Sequence, residues 1–164
     1  MIQRGQTLQV GLDPDPAFGA MNATLEAEIT MPSLARIEAS GASQVTISGF
    51  DSQSDLTIQP SGAGAIEGEI SAGNSSIEAS GASDVSLSGD CNDLALELSG
   101  ASSAVLEDFP ASDVWAVLSG ASCATVNLTG TLDAEASGAS HLTYLGSPTL
   151  GSVQTSGAST IEEK

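Results

Sequence analysis

The chain has 164 residues, 40% apolar but only 3% aromatic, so one domain's core must be built from Val, Ile, Leu and Ala. Its 21 Asp and Glu against 3 Lys and Arg give a formal net charge of −18. That field repels phosphate backbones and anionic lipid, which argues against nucleic-acid binding, and no apolar run reaches membrane-spanning length.

In chain order, Met1-Ile2-Gln3-Arg4-Gly5 passes straight into a strand-like run, without the long apolar segment of a signal peptide. Residues 7–12 and 24–31 read as strands. Asp13-Pro14-Asp15-Pro16 between them reads as a loop, because proline cannot donate to a ladder. We take 1–33 as an irregular N-terminal coil, 34–161 as regular coils and 162–164 as a charged tail, within a single domain.

From residue 40 a tetrapeptide recurs. Ser-Gly-Ala-Ser begins at Ser40, Ser80, Ser99, Ser119, Ser137 and Ser156, and a variant, Ser-Gly-Ala-Gly, begins at Ser61. Repetition at a period near twenty marks a solenoid. The residues before each first Ser alternate, as in Leu94, Leu96 and Leu98 against Ala95 and Glu97. Five residues after it stands Val45, Ile66, Val85, Ala104, Ala124, Leu142 or Ile161. Period two on both sides means two strands, each with one face inward. The tetrapeptide between them is a corner, where glycine adopts angles denied to other residues. Gly49, Gly89 and Gly146 mark a second corner, and variable segments such as Asp90-Cys91-Asn92-Asp93 and Phe109-Pro110-Ala111-Ser112 complete the turn. The expected fold is an all-β, right-handed parallel β-helix with about 20 residues per coil, seven coils and the irregular N-terminal one. An antiparallel sandwich explains the alternation but not seven corners in fixed phase.

Cys91 and Cys123 occupy different phases of the repeat and read as two free, partly buried thiols. Asn-x-Ser/Thr triplets at Asn22, Asn74 and Asn127 arise easily by chance in so Ser- and Thr-rich a chain.

The phased Ser-Gly-small-Ser ladder, the lead-in Ile29-Thr30-Met31-Pro32-Ser33-Leu34 and the ending Leu142-Thr143-Tyr144-Leu145-Gly146-Ser147-Pro148 followed by Ser156-Gly157-Ala158-Ser159 resemble one bacterial family. It is the auto-transporter adhesin, head GIN domain family, a domain of unknown function, and the resemblance runs from about Thr7 to Ile161. It implies a right-handed β-helix in the cell envelope or outside the cell, adhesion by analogy of name, and no catalytic residues. It also implies further strands and an export signal ahead of the lead-in, which this sequence does not show.

Candidate chemistry is sparse. A polysaccharide lyase needs a basic residue as base, and Arg36 is the one basic residue inside the coils. A glycosidase needs paired carboxylates, usually with His. His141 stands alone and outward, and reads as a solvated surface side chain. Abundant Ser with one His gives no triad, and glycines that recur as corners are not a phosphate loop. We therefore expect no enzyme, no catalytic residue and no cofactor.

Two residues before the corner Ser, an outward column reads Glu38, Gln59, Glu78, Glu97, Val117, Glu135 and Gln154. Glu78 and Glu97 stack as like charges, which a bound calcium ion would relieve. One pair offers too few oxygens, so simple solvation is the favoured reading. Six residues after the Ser, Thr46, Glu67, Ser86, Val105, Thr125, Thr143 and Glu162 form a column too interrupted for ice binding. Trp115 falls on an outward phase beside Val117, either exposed to a partner or glycan ring or packed under Phe109-Pro110. The candidate interaction surface is Glu38, Glu78, Glu97, Trp115, Val117 and Glu135. The expected function is a non-enzymatic envelope or surface β-helix binding a protein or glycan, without membrane insertion. The alternatives are a self-assembling scaffold, joined end to end or side by side, and a polysaccharide-binding or polysaccharide-active enzyme.

Overall fold

The computed structural model describes residues 1–11, 26–51 and 53–164. The chain divides into two compact units, Met1–Pro32 and Ser33–Lys164. In the first, Ile2–Arg4 (β1) and Thr7–Gln9 (β2) pair antiparallel, with Arg4 opposite Thr7. Gly5, at φ +62°, supplies the left-handed residue that so short a turn requires. This segment thus opens with a local hairpin rather than a parallel coil. Residues 26–31, expected as strand, belong to none, and 26–30 are exposed. Alternation makes a strand only where a neighbouring edge takes its hydrogen bonds. The loop expected at 13–16, and the start of the second expected strand at 24–25, lie outside the described residues.

The second unit is built from Arg36–Ala39 (β3), Gln44–Asp51 (β4), Leu56–Pro60 (β5), Ala65–Ser71 (β6), Ser75–Ala79 (β7), Asp84–Asp90 (β8) and Asp93–Leu98 (β9). It continues with Ser103–Ala111 (β10), Asp113–Leu118 (β11), Cys123–Leu128 (β12), Thr131–Ala136 (β13), His141–Gly146 (β14), Thr149–Thr155 (β15) and Thr160–Glu163 (β16). The odd-numbered strands form one seven-stranded parallel sheet and the even-numbered strands another. Each coil contributes one strand to each sheet. The fold is the expected parallel β-solenoid, and its described residues hold no helix. Regular pairing starts at Arg36, and Glu162 and Glu163, expected in a tail, pair within β16.

The core lies between the two sheets. On β9, Leu94, Leu96 and Leu98 are buried while Asp93 and Glu97 are exposed; on β12, Ala124, Val126 and Leu128 are buried. Each fully buried Leu or Ile contributes about 1.5–3 kcal/mol. Phe109 departs from expectation. The segment read as a turn continues strand β10, and Phe109 is fully buried in the core. The ladder shifts register between Leu106 and Ala111, which turns the large ring inward. The expected second corner at Gly89 is a bend inside β8: its φ is +116°, and its neighbour Ile70 is so close that a Cβ would lie 2.1 Å from the Ile70 oxygen.

The tetrapeptide corner continues both ladders. Ala82 N–H donates to Gly62 C=O at 2.8 Å, Ala101 to Gly81 at 2.7 Å, Ala121 to Gly100 at 2.8 Å and Ala139 to Gly120 at 2.7 Å. The last Ser of the corner is a buried polar group. Ser83, Ser102, Ser122 and Ser140 are at most 1% exposed, and each hydroxyl donates to the carbonyl of the Ser three residues earlier at 2.7–2.8 Å. Each corner is therefore tied within its own turn and to its neighbour, leaving no buried hydroxyl at these Ser unpaired.

Both cysteines are free, but they differ more than expected: Cys91 is buried and Cys123 exposed. Burial pushes the Cys91 thiol from 9.0 up to about 11; the Ser75 hydroxyl pulls the other way, and the Asp90 and Asp93 charges add to the rise.

Candidate interaction surface

Pairing in fixed register turns sequence columns into surface columns. Glu38 lies opposite Gln59, Glu78 opposite Glu97, Val117 between Glu97 and Glu135, and Glu135 opposite Gln154. At one end a polar chain ties the column down. Arg36 Nε pairs with Glu38 at 2.6 Å, Arg36 also donates to Gln59, and Gln59 Nε2 donates to Glu78 at 2.7 Å. This ties Glu78 but not its neighbour Glu97. Among the described residues, no group of three His, Cys, Asp or Glu side chains is placed to hold a metal ion.

Trp115 stands on the outer face of β11, 47% exposed, with Ala95 and Asp133 in register on either side. The Phe109-Pro110 segment expected as a loop over it is strand instead, with Phe109 inside the core and Pro110 exposed. Asp113 and Val117 are its outward neighbours along the strand. An open groove beside the ring is lined by Asp93, Ala95, Asp113, Trp115, Thr131 and Asp133. Asp113 Oδ1 accepts Thr131 N–H at 2.5 Å, and Asp133 Oδ1 accepts Ser152 N–H at 2.6 Å. These bonds hold both carboxylates at the rim.

The register places Glu97, Trp115, Val117 and Glu135, all named from the sequence, on neighbouring positions of one outward face, and adds Asp93, Asp113 and Asp133, which the sequence columns had passed over. Two of them were legible: six residues before the corner Ser, the sequence reads Asp55, Asn74, Asp93, Asp113 and Thr131. Asp133 shares the phase of Trp115 instead.

The second sheet's outer face is different. Thr46, Glu67, Ser86, Val105, Thr125, Thr143 and Glu162 fall in register, and Thr46 and Gln44 both donate to Glu67. His141 is outward but not isolated: it hydrogen-bonds Thr160 and Thr143 and lies 3.3 Å from Glu162. Asp84, Ser103, Cys123 and His141 succeed one another in its column, which separates Asp84 from His141 by three coil steps.

No helix among the described residues is long and apolar enough to cross a membrane. No curated protein and no solved structure matches the chain. The family described as "Putative auto-transporter adhesin, head GIN domain" matches residues 2–148, a description that suggests a surface or envelope location. With the corner ladder, the two parallel sheets and this match, the chain belongs to the auto-transporter adhesin head GIN domain family.

Proposed function

We propose that this chain is a non-enzymatic, adhesin-like domain of the bacterial cell envelope or surface, binding a protein or glycan through the outer face of the odd-numbered sheet. The observation that carries this reading is Trp115, a half-exposed indole on a rigid strand whose own core is filled by other residues. A large aromatic in such a place supplies contact area at little conformational cost. The family description supports the adhesive part of the reading. Screening the chain against a glycan array and a panel of immobilised surface proteins tests it. Binding that is lost in Trp115→Ala/Val117→Ser, with the melting temperature unchanged, is the expected result. Binding unaffected by the pair overturns the face, and turnover of a pectin-like or alginate-like polymer overturns the non-enzymatic part.

One feature favours the scaffold as a second reading. Strands β15 and β16 pair on one side only, β15 is exposed throughout, and Leu150 and Val153 are 52% and 37% exposed. Open edges of this kind accept further strands. Size exclusion across concentration tests it: filaments or end-to-end dimers support the scaffold, and a monomer at every concentration overturns it.

A further inference from the structure

We propose that the Trp115 face docks a cationic, extended segment of a partner protein, an inference that rests on the adhesin-like reading above and gives its ligand a chemistry. Five carboxylates share the outward face with the ring. Asp113 is on the same strand, Asp93 and Glu97 are on β9, and Asp133 and Glu135 are on β13. In-register neighbours on adjacent strands are about 4.8 Å apart, and same-face neighbours along a strand about 6.6 Å. The ion pairs among the described residues join Arg36 to Glu38, His141 to Glu162 and Lys164 to Glu107. None reaches these five side chains. Asp93 and Asp113 moreover lie opposite each other as like charges, an arrangement that a bound cation relieves.

Ring and charges select the same ligand. The face of an indole attracts ammonium and guanidinium groups, and carboxylates accept their hydrogen bonds. Val117, half-buried on the same face, gives the aliphatic stem of a Lys or Arg an apolar floor. An extended peptide repeats its same-face side chains at the spacing that separates Asp113, Trp115 and Val117. A neutral glycan could stack on the ring, but it would cover the surrounding carboxylates without neutralising them, which costs binding energy.

Trp115 is the single Trp of the chain, so its fluorescence reports on this face alone. The chain is titrated with a Lys-Ser alternating octapeptide, a Gly-Ser octapeptide, a cello-oligosaccharide and a chitosan oligomer. The Lys-Ser peptide is expected to shift the emission saturably and to weaken at least about ten-fold between about 0.02 M and 0.3 M salt, as exposed charges are screened. Glu97→Gln/Glu135→Gln is expected to weaken it about five-fold. Glu69→Gln/Asp108→Asn removes the same charge from exposed positions on the even-numbered sheet and is expected to change it less than about two-fold. Equal weakening by both pairs overturns the site in favour of diffuse attraction to a polyanion. A response to chitosan alone overturns the peptide as source, and a response to the cello-oligosaccharide alone overturns the cation while leaving the face. Silence toward every probe overturns this proposal, and the glycan and protein panel still decides the adhesin-like reading independently.

Discussion

Gly100 lies directly over Gly81: a Cβ on Gly100 would stand 2.4 Å from the Gly81 carbonyl oxygen. That oxygen accepts the Ala101 N–H at 2.7 Å, so it cannot move away without breaking the corner ladder. Gly100 also has a φ of +76°, which an L side chain rarely adopts. Two constraints meet at one position. Gly41, at φ +72°, meets only the second, because nothing lies within 4 Å of its missing Cβ.

Gly100→Ala is therefore expected to destabilise the chain by about 3 kcal/mol or more, adding steric overlap to backbone strain. Gly41→Ala is expected to lose about 1–2 kcal/mol from strain alone. Urea unfolding of the two variants measures the difference, and equal losses would refute the stacked-glycine account.

Gly64→Ser is expected to stabilise. Gly64 stands where the other corners have Ser, and its φ is outside the left-handed region. A Cβ there meets Ser61 O at 3.5 Å and Ser43 O at 3.6 Å, ordinary contact distances. The new hydroxyl gains the same carbonyl that the other corner serines use, for about 0.5–1.5 kcal/mol. A higher unfolding midpoint in urea is the readout.

Ser102→Ala removes a buried hydroxyl that donates to Ser99 O at 2.8 Å. The expected loss is about 1–2 kcal/mol, since the carbonyl loses this partner. Ser159→Ala, where the same bond lies less deeply buried, is expected to lose less in the same unfolding assay.

Phe109→Ala is expected to cost about 3–5 kcal/mol, because it empties a fully buried position. A loss below about 1 kcal/mol, the usual result for a surface turn, would contradict the strand placement of 103–111.

Cys91 and Cys123 are expected to separate in alkylation. At pH 8, iodoacetamide modifies Cys123 and spares Cys91 in the folded chain, because the thiolate is the reactive form and burial raises the Cys91 thiol to about 11. The folded value lies above the ordinary 9.0, so folding favours the protonated thiol. The stability it contributes is intact below pH 9.0 and is lost as pH rises through about 11. The unfolding free energy measured across that window is expected to fall more steeply for the natural chain than for Cys91→Ala.

The period of the corner and the alternation on its two sides were enough to specify coils, inward columns and the neighbours that share an outward column. Those features depend only on chain-local repetition: period two assigns a face, and equal spacing brings like phases together. Residues 26–31 and Phe109 mark where local pattern stops being informative. The first alternates without a strand edge to receive it, and the second lies inward because a register shift turns it there. The same holds for the surface around Trp115. Asp93, Asp113 and Asp133 gather beside the indole only once three strands are laid in register, and the last comes from a different phase of the repeat. Repetition along the chain specified the solenoid, whereas the depth of the corner serines, the fate of each cysteine and the carboxylates around Trp115 depend on which coil lies against which, a matter of packing between residues about twenty apart.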